Sequence, residues 1–101
     1  MVQQVTPSQA LEQYLEKKGI ILDVRTSWEW QNGHIPGAVH IPLDEMTARY
    51  QELDPDVETL VICQHGVRSE AVAAWLAQMG FEQVVNVRHG MSAWDGPVEL
   101  G

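Results

Sequence analysis

The sequence predicts an α/β fold with a mainly parallel central sheet flanked by helices on both faces. Three observations carry that prediction. Short, nearly continuous apolar runs recur at Ile20–Val24, Thr59–Ile62 and Gln83–Val87. Such runs read as strands buried on both faces, the pattern of parallel sheets. Stretches with helical spacing and helix-terminal signals separate them, so strand and helix patterns alternate along the chain. In sheets of this kind ligands bind outside the carboxyl ends of the strands.

The elements follow in order. Thr6 reads as a helix N-cap, with Pro7 at the first helical position and Gln9 as the capping-box partner. Ala10, Leu11, Tyr14 and Leu15 continue with helical spacing, and Gly19 after Lys17-Lys18 reads as the stop. The strand Ile20–Val24 comes next, with Asp23 near its end. Thr26 to Gln31 is predicted as one or two helical turns, ended by Asn32-Gly33. His34-Ile35-Pro36-Gly37 is a turn, Ala38–Ile41 a brief extended segment, Leu43 to Gln51 a helix and Leu53–Asp56 a turn. After the strand Thr59–Ile62, Ser69 to Met79 is predicted as a helix. Ala71, Val72, Trp75, Leu76 and Met79 fall on one side of it, and Gly80 stops it. Gln83–Val87 is a further strand, and Ser92-Ala93-Trp94 a final turn.

The 101 residues suit one domain, residues 1–101, with no repeat or linker. No apolar run approaches the roughly 20 residues that span a bilayer. The start Met1–Pro7 has neither the basic nor the apolar region of a signal peptide, so the expected location is cytoplasmic. A net charge of −8 argues against non-specific binding to nucleic acid or to an anionic membrane. Most acidic residues lie in the first helix, between Asp44 and Glu58, or near the C-terminus. Between Cys63 and His89 there are two Arg, two His and only two Glu, a locally basic stretch suited to a small anion.

The single cysteine, Cys63, excludes an intramolecular disulfide and a cysteine-rich zinc site. His34, His40, His65 and His89 show no metal-ligand spacing. A lone cysteine is either a small buried apolar residue or a reactive nucleophile. Its surroundings favour the nucleophile. Cys63 follows a strand, the loop Gln64-His65-Gly66-Val67-Arg68-Ser69 comes next, and then a helix begins. Free amides at a helix start favour an anion. A tight glycine-containing loop curls its amides into a nest with the same preference, and Arg68 adds a permanent forked cation. All three favour thiolate over thiol, so Cys63 is expected to be mainly thiolate at neutral pH.

Cys63-Gln64-His65-Gly66-Val67-Arg68-Ser69 resembles the C-x-x-G-x-R-S loop of single-domain rhodaneses, the thiosulfate and persulfide sulfurtransferases. Leu22-Asp23-Val24-Arg25 with Glu29 resembles the family's first signature, and Gly33-His34-Ile35-Pro36-Gly37-Ala38 its second. Gly90 with Ala93-Trp94 resembles the end of the domain. Together these stretches cover nearly the whole chain and imply a rhodanese-like domain. Where many members have two glycines, this chain has His89-Gly90. That segment is expected to approach the loop, with the His89 imidazole either near the thiolate or in solvent.

The resemblance implies a two-step transfer. Cys63 takes the outer sulfur of a small anionic donor such as thiosulfate, sulfite leaves, and a thiol, protein or cyanide acceptor removes the sulfur from the persulfide. The residues from Gln64 to Ser69 would bind the substrate, with their amides stabilising the persulfide. Arg68 would orient the donor or brace the loop. No metal or organic cofactor is implied. His65 is expected at the rim, Asp23 against loop amides, Arg25 and Glu29 as an ion pair, and Gly33, Pro36 and Gly37 as shapers of a turn. Trp75 is expected in the core, with Trp28 and Trp30 split between core and surface.

Two other readings stand beside this one. Cysteine phosphatases and arsenate reductases also place Cys and Arg around an anion loop. The phosphatase loop is one residue longer, however, and a phosphatase needs a general acid that this sequence does not identify. The other reading is a relay module that passes sulfur between proteins with little action on free thiosulfate.

Overall fold

The computed structural model describes residues 2–101. Five parallel strands form one sheet: β1 (Gln3–Val5), β2 (Ile20–Asp23), β3 (Val39–His40), β4 (Thr59–Ile62) and β5 (Val84–Val87). Their order is β1-β5-β4-β2-β3. β4 lies at the centre, and every one of its residues is buried. The register sets Leu22 beside Val61 and Val61 beside Asn86, so one row of side chains runs across the three inner strands.

Period-two alternation divides these strands between two cores. Leu22, Val24, Val61, Cys63 and Val84 face one side, under Met46, Leu53, Val72 and Leu76. Ile21, Leu60, Ile62, Val85 and Val87 face the other, under Ala10, Ile35 and Trp94. Helices thus flank both faces, as expected: α1 (Pro7–Leu15) on the second, α3 (Met46–Arg49) and α4 (Val67–Gln78) on the first. The short helix α2 (Ser27–Gln31) follows β2.

Local signals explain the helix starts. The Thr6 hydroxyl accepts from the Gln9 amide at 3.1 Å, and the Gln9 side chain accepts from the Thr6 amide at 2.9 Å. Thr26 and Glu29 cap α2 in the same reciprocal way, at 3.2 and 3.1 Å.

Several elements differ from expectation. β1 pairs with β5 at the sheet edge, but Gln3-Gln4-Val5 is too short and too polar to show as a strand in sequence. The segment Leu43–Gln51 is not one helix. It is the four-residue α3 set between 3-10 turns at Leu43–Glu45 and Tyr50–Glu52, with Met46 its only fully buried side chain. α4 starts at Val67 rather than Ser69, because Gly66, at φ 94°, turns the chain directly into the helix. Its buried stripe is Ser69, Val72, Ala73 and Leu76. These occupy positions i, i+3, i+4 and i+7. Ala71 and Met79 face solvent, Trp75 is half-buried, and the small Ala73 takes the expected place of Ala71 against the sheet. Trp28 is 73% exposed, whereas Trp30 stacks between the rings of His34 and His40, with centroids 3.7 and 4.5 Å away.

Candidate active site

Cys63 follows the last residue of the central strand, so the fold delivers its side chain to the carboxyl end of the sheet. Its side chain turns toward α4 and is almost completely buried. The chain then reverses through Gln64, His65 and Gly66 into α4. Gly66 needs its positive φ for this turn, and a Cβ there would stand 2.9 Å from the His89 amide nitrogen.

The turn wraps amides around the sulfur. The Gly66 N–H reaches Cys63 Sγ at 3.1 Å, and the Ser69 N–H at 3.3 Å. The Ser69 hydroxyl lies 3.2 Å from the sulfur. Burial pushes the Cys63 thiol up. The Ser69 hydroxyl and the amides of Ser69, Gly66 and His65 outweigh that effect and pull it below the ordinary value. Donated hydrogen bonds thus favour charge on this sulfur, the arrangement that also stabilises oxyanions.

The remaining loop residues have distinct positions. The Gln64 side chain is half-buried and accepts from Arg25 Nη1 at 3.2 Å. His65 and Val67 are exposed on the outer side of the loop. Arg68 is not a free cation: its two terminal nitrogens donate to the two carboxylate oxygens of Glu29 at 2.8 and 3.0 Å. That bidentate fork ties the start of α4 to α2. The Arg68 guanidinium holds the Glu29 carboxyl at about 2.

The expected Arg25–Glu29 pair is therefore absent. Arg25 instead grips Asp23, with Nε 3.0 Å from Oδ1 and Nη2 2.8 Å from Oδ2. Both residues are buried. Asp23 and Arg25 are two residues apart at the end of one strand and share a face. Glu29, capping α2, points the other way, toward α4. Arg25 Nη2 also donates to the Gly33 carbonyl at 2.8 Å, so one buried guanidinium links β2, the turn after α2 and the loop after Cys63. Asp23 does accept from a backbone amide, that of Arg25 at 3.0 Å.

A second backbone segment supports the loop from behind. The Met91 N–H donates to the Cys63 carbonyl at 2.8 Å, and the Ser92 N–H to the Gln64 carbonyl at 2.9 Å. Gly90 has φ 56°, and a Cβ on it would collide with the Cys63 carbonyl oxygen. His89 also takes a left-handed conformation, at φ 65°. Its exposed side chain shares a shallow cleft with His65, Gly66, Arg88 and Asn86.

One participant shows no signal in any motif. Asn86 lies in β5, two residues after Val84, on the face that Cys63 and Ser69 occupy. Its carbonyl accepts from the Ser69 hydroxyl. An asparagine inside a buried valine run is the one sequence feature that could have marked it, since Asn is depleted in strands.

A parallel α/β sheet with a cysteine at the head of an amide-lined loop defines the class: domains that surround a cysteine sulfur with backbone amides at a strand's carboxyl end. More narrowly, this chain belongs to the rhodanese-like domain family, whose sequence model matches residues 7–96. It is similar to YrkF of Bacillus subtilis, a candidate sulfur carrier protein. The two are 47% identical over 79 residues, covering 78% of this chain but only 43% of YrkF. It is 34% identical over 90 residues to the thiosulfate sulfurtransferase GlpE of Pseudomonas putida, covering 89% of this chain and 82% of GlpE. The crystal structure of a rhodanese-related protein from Thermoplasma volcanium superposes with a TM-score of 0.91 at 31% identity, covering 98% of this chain and 99% of the other. Among the described residues no helix is long and apolar enough to cross a membrane.

Proposed function

We propose that this protein is a sulfurtransferase that carries sulfane sulfur as a persulfide on Cys63. The observation that carries the reading is the set of amide donors around Cys63 Sγ. In the first step the thiolate attacks the outer sulfur of thiosulfate or of another persulfide donor. A new S–S bond forms, the old one breaks, and sulfite or a thiolate leaves with the electron pair. In the second step an acceptor thiolate (cyanide in an assay) attacks the outer sulfur of the persulfide, and the Cys63 thiolate returns. The amides of His65, Gly66 and Ser69 hold the negative charge at both stages. Arg68, joined to Glu29, braces the loop, and donor binding falls to the loop from Gln64 to Ser69. A cytoplasmic setting belongs to this reading, because it keeps a free thiol reduced.

The similarity to GlpE supports thiosulfate as donor. The similarity to YrkF supports a second reading, a relay that receives sulfur from a protein and passes it to another. Intact mass after incubation with thiosulfate, beside a Cys63→Ser control, tests the first. A gain of one sulfur atom on the wild type alone is expected. No gain from thiosulfate, with loading from a protein or low-molecular-weight persulfide, would select the relay. Rapid aryl phosphate hydrolysis with no sulfur loading from any donor would overturn both.

A further inference from the structure

The Ser69 hydroxyl has one proton and two neighbours that can take it. On one side is Cys63 Sγ, at 3.2 Å, and on the other the Asn86 side-chain carbonyl. The orientation of the Asn86 amide is set by a backbone group. Its nitrogen lies 3.2 Å from the Gly66 carbonyl, which can only accept, and 2.8 Å from Gln4 Oε1. Asn86 therefore turns its nitrogen toward Gly66 and Gln4 and its oxygen toward Ser69. With that oxygen as acceptor, the hydroxyl donates to Asn86 and presents lone pairs to the sulfur. The result is a directional chain: Cys63 S–H to Ser69, Ser69 O–H to Asn86, Asn86 N–H to Gln4, and Gln4 N–H to Glu70 Oε2 at 2.6 Å.

This direction suits a thiol and opposes a thiolate. Once Cys63 ionises, the hydroxyl must turn its proton toward the sulfur, which leaves the buried Asn86 oxygen without a donor. We propose that Asn86 is a positioning residue that aims the Ser69 hydroxyl and so limits how strongly that hydroxyl holds the Cys63 thiolate. The Gly66 and Ser69 amides cannot turn away, and they hold the charge whichever way the hydroxyl points. The other charged or titratable groups on the elements around the sulfur are Asp23 and Arg25 at the end of β2, Glu29 on α2, His65 in the loop, Arg68 and Glu70 on α4, and Arg88 and His89 after β5. None of them contacts the Ser69 hydroxyl.

The inference rests on the reading of Cys63 as the reactive thiol, but its test uses no sulfur donor. It can therefore fail or hold whether or not sulfur transfer does. The midpoint of Cys63 ionisation is read from iodoacetamide alkylation rate against pH, with circular dichroism confirming that each variant is folded. Asn86→Leu removes the competing acceptor, so the midpoint falls by about 1 pH unit. Ser69→Ala moves it by less than about 0.5 pH unit in the wild-type background and raises it by about 1 unit in the Asn86→Leu background. An Asn86→Leu midpoint that stays put or rises overturns the inference. If Asn86→Leu does not fold, Ser69→Ala alone decides: a rise of about 0.5 pH unit or more shows a hydroxyl already committed to the sulfur and overturns it.

Discussion

At the scale of single residues, the site depends on burying groups that can carry charge. Cys63 is the first. Its folded thiol lies below the ordinary value despite burial, because hydrogen bonds to the sulfur favour thiolate more than burial opposes it. The midpoint of native-protein alkylation rate against pH is therefore expected below the free-thiol midpoint of about 8.5. The same depression affects stability. The contribution of this group is fully present above the unfolded-state value and is lost as pH falls through the folded value. Unfolding free energy should therefore rise with pH in the window just below about 8.5, and Cys63→Ser should remove that slope. Chemical denaturation at a series of pH values reads both. Asp23 is the second buried group. Asp23→Ala leaves the Arg25 guanidinium buried without its carboxylate, at a cost of about 3–5 kcal/mol, measurable as a lower urea midpoint.

At the scale of elements, the loop after Cys63 is held between three neighbours. α2 grips it through Glu29–Arg68, β2 through Arg25–Gln64, and the segment after β5 through two backbone hydrogen bonds. The Glu29 contact sets an acid limb. Glu29 titrates at about 2 in the folded protein, so its stabilisation is complete above the unfolded-state value of about 4.5 and disappears as pH falls toward about 2. Glu29→Gln should flatten that limb. The pair is partly exposed, so the loss at neutral pH should be about 1 kcal/mol. Thermal melts at pH 3 and pH 7 check both points. The backbone support is less tolerant. Gly90→Ala places a methyl group into the Cys63 carbonyl at a positive φ, so the loop must shift away from its amide geometry. A slower alkylation of Cys63 at neutral pH is the expected result, and an unchanged rate would show that the support is dispensable.

At the scale of the whole molecule, one sheet separates two cores, and neighbouring residues in a strand belong to different ones. Ile21 and Leu22 are adjacent in β2, yet Ile21 packs with Ala10 and Trp94 while Leu22 packs with Met46 and Leu76. Each is expected to cost about 2–5 kcal/mol when cut to alanine. Because the two cores share β2, β4 and β5, either variant should still unfold in one cooperative transition. A biphasic melt of either would show that the faces unfold separately.

Much of this was legible from residues close together in the chain. Caps, stops and apolar runs act over about one helical turn or one strand. Thr6-Pro7-Ser8-Gln9 therefore marked α1, and Thr59–Ile62 marked the central strand. The loop from Cys63 to Ser69 was legible for the same reason: strand end, glycine turn and helix start all lie within seven consecutive residues. What tertiary structure alone decided was which charged and polar groups meet. Glu29 and Arg68 stand 39 positions apart, Ser69 and Asn86 17, and Asn86 and Gln4 82. Strand register and helix placement bring those pairs together, and no local pattern encodes them. The family resemblance suggested Arg25 with Glu29, but burial at the strand end gave Arg25 to Asp23 and left Glu29 for Arg68. The edge strand β1 and the role of Asn86 were hidden for the same reason: a short polar segment and a single amide gain their meaning only from the β5 strand and the α4 helix beside them.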